Sequence, residues 1–372
     1  MTKIRHVLGI SGGKDSTALA VYLKENFPQI DIEYYFCDTG EELPETYEVI
    51  EKLQSYLGKE IIKLHSTTGD KETPFQYFLD IYKGYLPSAN ARWCTKKMKL
   101  EPFEKFVGDD LVISYVGIRE DENREGYISK KQNIQSIFPF RKNIWSQDVI
   151  NKVLSNENII KTVKIAESQD IQSKNQFIDI LKQEITPVKL TMQNKLNLLL
   201  SINITSFNKI VHEFLKETEY PIGLLNEYSL LQKEDFLTLD DVYKLLEVTK
   251  VGKPPYYKPI RFEVDNGKDK LEGYYNRSRS GCYFCFFQQK IEWIWLLEIH
   301  PELYEKAKEF EKSGFTWNEG ESLEELAKPE RVHEIKIKHI EKMKKNSTNC
   351  KSGSLLSILE PNMGNSCPAC FL

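Results

Sequence analysis

The apolar positions of the first third of the chain fall into short runs separated by amphipathic stretches. His6–Ile10 is short and apolar and ends in a glycine-rich turn, and Thr17–Leu23 then carries apolar residues at helical spacing, so this unit reads as strand, loop and helix. Ile30–Cys37, rich in Ile, Tyr and Phe, predicts a second strand. Pro44–Leu57 predicts a helix with proline at its start. Glu60–Leu64 offers a third strand, and Leu111–Val116 (Leu-Val-Ile-Ser-Tyr-Val) a fully buried one. Strands alternating with helices predict an α/β fold, a doubly wound parallel sheet with helices on both faces. Past Arg124 the pattern loosens. Residues 155–235 are rich in Asn, Lys, Gln, Ile and Leu, with helical spacing in Leu196–Ile202 and Phe207–Leu215, and read as a helical insertion. Order returns at Leu239–Leu246 and continues through Cys285 into a helix over Gln288–Ile299. That helix is apolar on most faces and so expected to be buried, with Pro301 favouring a break at His300. The predicted organisation is therefore an α/β core over 1–154, the insertion over 155–235, a helical C-terminal completion over 236–345, and an Asn-, Ser- and Gly-rich cysteine-containing tail over 346–372.

Composition narrows the function classes. The 372 residues are 40% hydrophobic and 28% charged, as in an ordinary globular chain, and the net charge of −4 provides no global field for nucleic acid. Nucleic-acid contact would then need a local patch or a partner subunit. No run of about 18 apolar residues suggests a membrane span, and the first residues lead into a strand without a signal-type apolar stretch. The seven cysteines are Cys37, Cys94, Cys282, Cys285, Cys350, Cys367 and Cys370. An odd count without a leader argues against a disulfide framework and for a cytoplasmic, reducing setting, where two C-x-x-C pairs point to metal, iron–sulfur or redox chemistry.

The first turn carries the sharpest chemistry. In Ser11-Gly12-Gly13-Lys14-Asp15-Ser16 the glycines let the backbone curl so that several N–H groups face one anion, and the following helix adds its N-terminal dipole. Ser11 and Ser16 supply hydroxyls and Lys14 a positive charge. Asp15 cannot favour a phosphate directly and is assigned to Mg²⁺ or to ordering of the backbone. The spacing is not that of a Walker A loop. The bland alternative is a glycine turn that merely caps the helix. The six residues, placed between strand and helix, resemble the PP-loop of the ATP pyrophosphatase superfamily. That resemblance implies an adenine nucleotide alpha hydrolase-like fold, binding of ATP with Mg²⁺, and cleavage between the α and β phosphates.

Further motifs narrow the resemblance. Asp38-Thr39-Gly40-Glu41-Glu42 is similar to a segment of the phosphoadenylylsulfate (PAPS) reductase branch. There it lies beside the nucleotide, which implies that Asp38 and Thr39 hold ribose or base; the plain alternative is a polar strand-to-helix turn. Arg92-Trp93-Cys94-Thr95, continuing through Lys99 to Pro102, resembles the branch's R-x-C-C/T-x-x-x-K-x-x-P stretch, with Thr95 where iron–sulfur members often have a second cysteine. Gly117-Ile118-Arg119-Glu120-Asp121-Glu122-Asn123-Arg124 resembles its G-x-R-x-x-E-x-R turn, so Arg119 and Arg124 are candidate donors to phosphate or sulfate oxygens; a solvated charged turn is the alternative. Arg277-Ser278-Arg279-Ser280-Gly281-Cys282-Tyr283-Phe284-Cys285 resembles its later C-x-x-C element. The resemblance implies that Cys94, Cys282 and Cys285 hold a 4Fe–4S cluster with one open iron. Alternatively, Cys350, Cys367 or Cys370 closes a four-cysteine iron–sulfur or Zn²⁺ site. Buried structural cysteines are the alternative, and Cys37 reads as a strand-end core residue.

Lys14, Asp15 and Arg119 are thus the candidate catalytic residues, and Ser11 to Ser16, Asp38, Thr39, Arg119 and Arg124 the candidate nucleotide-binding set. The pattern is similar to DNA phosphorothioation sulfurtransferases found in phage-defence gene clusters. It implies an ATP pyrophosphatase or sulfurtransferase acting in DNA or RNA modification or in defence, supplied by a sulfur donor protein. The alternatives are a PAPS or APS reductase, although the Cys367-Pro368-Ala369-Cys370 tail lacks the expected form, and a nucleotide-sensing subunit without turnover.

Overall fold

The computed structural model describes residues 4–66, 73–122, 124, 129 and 131–349. Cys350, Cys367 and Cys370 lie outside the described residues. The apolar runs form a five-stranded, all-parallel sheet with spatial order β3-β2-β1-β4-β5. The strands are β1 (Arg5–Gly9), β2 (Ile32–Cys37), β3 (Ile61–Leu64), β4 (Val112–Tyr115) and β5 (Ile134–Ile137). Successive residues of a strand face opposite sides. Leu8, Tyr34, Phe36, Ile113, Tyr115 and Ile137 accordingly enter one core, and Val7, Tyr35, Cys37, Val112 and Ile134 the other. The first core is covered by α1 (Lys14–Asn26) and α2 (Pro44–Leu57); the second receives Phe103 and Val107 of the helix Glu101–Val107. Helices on both faces of a parallel sheet are the expected doubly wound arrangement, and the order of strands reverses at β1, where ligands settle in such sheets.

Between Asn156 and Leu215 the chain is mainly helical, with Ile159–Ser168, Lys174–Leu181, Met192–Ile202 and Ile204–Leu215 as its principal helices. Their buried residues, among them Ala166, Phe177, Leu199 and Phe207, belong to the same apolar cluster as α1 and its face of the sheet. A second large core is built by segments distant in sequence. Phe75 at the start of α3 (Pro74–Ile81), Trp93 and Met98 meet Phe284, Trp293, Trp295 and Trp317, so the first and last thirds of the chain close on each other.

The helix expected over Gln288–Ile299 runs from Lys290 to Ile299, is buried through Trp293 and Trp295, and starts with Gln289 and Glu292 in reciprocal side chain-to-backbone caps. The chain breaks at His300 before the helix Pro301–Glu309. One feature of the C-terminal part is new: an antiparallel hairpin of β6 (Ile260–Asp265) and β7 (Lys270–Tyr275). Its signal was present in the alternation Ile-Arg-Phe-Glu-Val-Asp ahead of Asn266-Gly267, where Gly267 takes φ +84°. Among the described residues no helix is long and apolar enough to cross a membrane.

Candidate active site

The six-residue loop leaves β1 at the carboxyl edge of the sheet, and its conformation follows from its glycines. Gly12 adopts φ +68°, a left-handed value, and a Cβ there would stand 2.6 Å from Thr46 Cγ2. Gly13 is extended (φ −85°, ψ 164°) and starts α1 without any side chain capping it. At the start of this 13-residue helix the Lys14 N–H donates to the Tyr257 hydroxyl at 3.5 Å and the Thr17 N–H to the Gly13 carbonyl at 3.1 Å, and the helix start faces the loop. The loop is tied internally: the Ser11 N–H donates to Ser16 Oγ (3.1 Å), the Gly13 N–H to Ser11 Oγ (3.3 Å) and Ser16 Oγ to the Gly13 carbonyl (3.3 Å). From outside, the Tyr256 hydroxyl donates to the Gly12 carbonyl at 2.6 Å.

Lys14 is buried. Its Nζ lies 4.7 Å from the centroid of the Tyr257 ring, 3.5 Å from the Ser278 carbonyl and 3.7 Å from Asp15. Asp15 is gripped by Arg119, whose Nη1 stands 2.6 Å from Asp15 Oδ1 and 3.3 Å from Glu122 Oε1, and whose Nε is 3.0 Å from Asp121. Burial by itself would raise the Asp15 carboxyl, but Arg119 and Lys14 outweigh it and hold it below its ordinary value. Glu122 moves the other way: burial and the Asp15 charge lift it despite Arg119 and Arg124. Arg124 pairs with Glu122 at 2.8 Å. Gly117 permits this packing, since a Cβ there would come within 2.9 Å of the Asp15 carbonyl. Arg119 and Arg124 thus reach the loop through carboxylates, and Asp15 is engaged by cations.

Asp38 and Thr39, at the end of β2, divide between two environments. Asp38 Oδ1 accepts from the Gly40 N–H and from the Tyr47 hydroxyl, both at 2.8 Å, and so shapes its own turn. Thr39 Oγ1 donates to Glu42 Oε1 (2.9 Å) and lies 3.2 Å from Cys282 Sγ. Thr39 is therefore part of the cysteine region, to which a backbone bridge between Glu42 and Cys282 also belongs.

Cys94, Cys282 and Cys285 line one cavity of about 40 Å³ together with Thr39, Lys99 and Ser280. Cys94 enters from the helical turn Trp93–Thr95, which continues into a π-helical turn over Lys96–Leu100; such turns recur at functional sites. Burial, reinforced by Glu42, pushes the Cys282 thiol well above its ordinary value. Cys37 stays apart: it sits in the sheet core with its thiol directed at the Lys99 carbonyl (3.6 Å), and burial raises it to about 12. Among the described residues no three His, Cys, Asp or Glu side chains stand close enough together to hold a metal ion. The three thiols share a cavity, but the described arrangement alone does not form a cluster or zinc site.

The cavity and the loop adjoin. Ser280 lines the cavity and its Oγ donates to Ser11 Oγ at 3.2 Å, while a Cβ on Gly13 would meet Ser280 Oγ at 2.4 Å. Ser278, whose carbonyl faces Lys14, is fixed by its N–H and Oγ donating to Glu292 Oε1 at 2.7 and 2.9 Å. Tyr256, Tyr257, Ser278, Ser280 and Glu42 are therefore site residues absent from the sequence-based set. The two serines flank Arg279 in the motif that contains Cys282, so their position was readable although their partners were not.

Residues 5–165 match the family described as phosphoadenosine phosphosulfate reductase domain. An uncharacterized protein of Methanocaldococcus jannaschii is 33% identical over 146 residues, 36% of this chain and 28% of the relative. The tRNA-specific 2-thiouridylase MnmA of Lactobacillus johnsonii is 28% identical over 165 residues, 41% of this chain and 44% of that enzyme. MnmA of Colwellia psychrerythraea is 31% identical over 126 residues, 32% of this chain and 33% of the enzyme. The chain thus spans less than half of the curated relatives it matches. Residues 5–165, which carry the parallel sheet and the glycine-rich loop, are thus similar to that reductase domain.

Proposed function

We propose that this PAPS reductase-like PP-loop chain is an ATP-dependent sulfurtransferase that activates an acceptor at the Ser11–Ser16 loop and handles sulfur at Cys94, Cys282 and Cys285. The observation that carries the reading is the Ser280–Ser11 hydrogen bond, which makes one segment the wall of both the phosphate loop and the cysteine cavity. Phosphates would lie on the N-terminal N–H groups of α1, with the Ser11 and Ser16 hydroxyls as donors and Lys14 as countercharge. Mg²⁺ arrives on the nucleotide's phosphates, where it offsets their charge. An acceptor oxygen attacks the α-phosphorus, the bond from that phosphorus to the bridging oxygen breaks, and pyrophosphate leaves. A sulfur nucleophile then attacks the activated carbon and AMP departs with the oxygen.

The acceptor class is taken from the similarity to the tRNA-specific 2-thiouridylases: a nucleic acid base, in RNA or DNA, reached through a local patch or a partner subunit. Sulfur would come from a donor protein in a cytoplasmic setting, and a role in phage defence is compatible with such chemistry. The 4Fe–4S expectation requires the three thiols to be drawn together, with the fourth iron left open to carry sulfur, whereas a closed iron–sulfur or Zn²⁺ site would need a fourth protein ligand.

The test is pyrophosphate release from ATP coupled to incorporation of labelled sulfur into tRNA or DNA. Loss of incorporation in Cys94→Ala, Cys282→Ala and Cys285→Ala, with ATP binding kept, supports the proposal; incorporation that survives all three refutes it. A second reading, reduction of PAPS, is favoured by the family match over residues 5–165. It predicts sulfite release from PAPS with thioredoxin as reductant. Nucleotide binding without either product would leave the sensing subunit.

A further inference from the structure

A second pocket, of about 460 Å³, lies along β5 and shares no lining residue with the loop or the cysteine cavity. Its volume is in the range of small-ligand sites. Gln135, Ser146, Asp148, Lys152, Lys161 and Tyr220 line it. Two of these carry half-used polar groups. Gln135 is 2% exposed; its Oε1 accepts from the Ile222 N–H at 3.1 Å, while its Nε2 has no hydrogen-bond partner among the described residues. Asp148 Oδ2 accepts from the Tyr220 hydroxyl at 2.7 Å, while its Oδ1 is likewise without a partner among the described residues. Native structures rarely leave a buried amide donor and a carboxylate oxygen unmatched in one wall, and each such group calls for an explanation.

The charges around the pocket indicate what the missing partner is. Three lysines, Lys131, Lys152 and Lys161, and three carboxylates, Asp148, Glu217 and Glu219, are among its lining residues, with Lys161 and Glu217 paired at 2.9 Å. Cations and anions balance, which disfavours a phosphate and fits a neutral molecule. Tyr220 and Phe214 add flat apolar surface, each with a lysine over its ring, at 5.3 and 4.1 Å. A free donor, a free acceptor and aromatic surface suit a planar ligand with a carbonyl and an N–H on the same edge.

We infer that this pocket binds a neutral heterocycle of nucleobase size through a lactam edge, its carbonyl accepting from Gln135 Nε2 and its N–H donating to Asp148 Oδ1. The inference is independent of what the phosphate loop does.

The probes are uridine, guanosine and 3-methyluridine, titrated calorimetrically into the full-length protein. Uridine or guanosine should bind, and methylation of the uridine N–H should weaken binding at least tenfold. Asp148→Asn and Gln135→Leu should each weaken it by a similar factor, with the circular dichroism spectrum unchanged. Lys14→Ala, which alters the phosphate loop, should leave it unaffected. No binding of either nucleoside at millimolar concentration, equal binding of 3-methyluridine, or loss of binding in Lys14→Ala would each overturn the inference. So would a crystal structure, grown with guanosine, in which only an ordered water joins Gln135 Nε2 to Asp148 Oδ1.

Discussion

Gly13→Ala isolates the contact on which the joint site depends. Gly13 has φ −85° and ψ 164°, a conformation open to alanine, so the substitution introduces no backbone strain. Its whole effect is steric: the new methyl would stand 2.4 Å from Ser280 Oγ, 3.1 Å from Ser280 Cβ and 3.2 Å from Ser11 Oγ, so that it presses chiefly on the Ser280 side chain of the segment leading to Cys282. Forcing one methyl into a packed contact costs about 1–3 kcal/mol. If nucleotide binding needs the loop seated on Ser280, that range corresponds to roughly a 5- to 150-fold loss of ATP affinity. Removing the Ser280 hydroxyl relieves the tightest clash, so Gly13→Ala with Ser280→Ala should bind ATP more tightly than Gly13→Ala alone, a positive coupling between residues in the first and last thirds of the chain. Calorimetric titration of ATP and Mg²⁺ into the four proteins of this cycle reads the coupling directly. ATP affinity unchanged by Gly13→Ala, or strictly additive losses, would refute the claim that the Ser280 segment forms a wall of the phosphate site.

Three further outcomes follow from the same geometry. Arg119→Ala leaves Asp15 and Glu122 as adjacent buried carboxylates without their shared cation, so unfolding in denaturant should show a loss of about 3–5 kcal/mol; undiminished stability would mean that Arg119 does not hold the loop. Glu42 is raised by burial above its ordinary value of 4.5, so its contribution to stability is fully present below that pH and is lost as pH rises through the raised value; Glu42→Gln should remove this decline from the stability profile measured between pH 4 and 8, and an unchanged profile would exclude Glu42 as its source. Protein purified without oxygen should contain iron and sulfide if the three thiols close around a cluster, and both should fall in Cys94→Ala; equal iron in that variant would place the metal elsewhere.

Much of this architecture was legible because local patterns and tertiary demands agree. Leu111–Val116 announces a buried strand, and the glycines of residues 12 and 13 announce a turn onto a helix; each requires only its neighbours to be understood. β5 escaped notice because a four-residue strand containing Gln135 and Ser136 has no apolar run, and it becomes a strand only by pairing with β4. Thr39 was assigned to the nucleotide from its place at the end of β2, yet its hydroxyl meets Glu42 and Cys282, since the turn after β2 bridges to the Cys282 segment. No periodicity reports a bridge between residues 42 and 282.

The long-range contacts also set a limit on how the site can work. Lys14 and Arg119 are the cations expected to meet phosphate, but in this structure they lie against Asp15, and Arg119 also against Asp121 and Glu122. A buried carboxylate held below its ordinary value by these cations is an anion in their field, and a nucleotide's phosphates must compete with it. The competition is uneven. Asp15 is fixed by the start of α1 and meets Arg119 within hydrogen-bond distance, whereas Lys14 is farther from it and has a long side chain beside the Ser278 carbonyl. Under the proposed function, phosphate would therefore draw on Lys14 and the N-terminal N–H groups of α1 first, while the Asp15–Arg119 pair keeps the helix start in register with the turn after β4. In that proposed division Asp15 would order the loop, Lys14 would carry the charge response to ligand, and Arg119 would act at one remove.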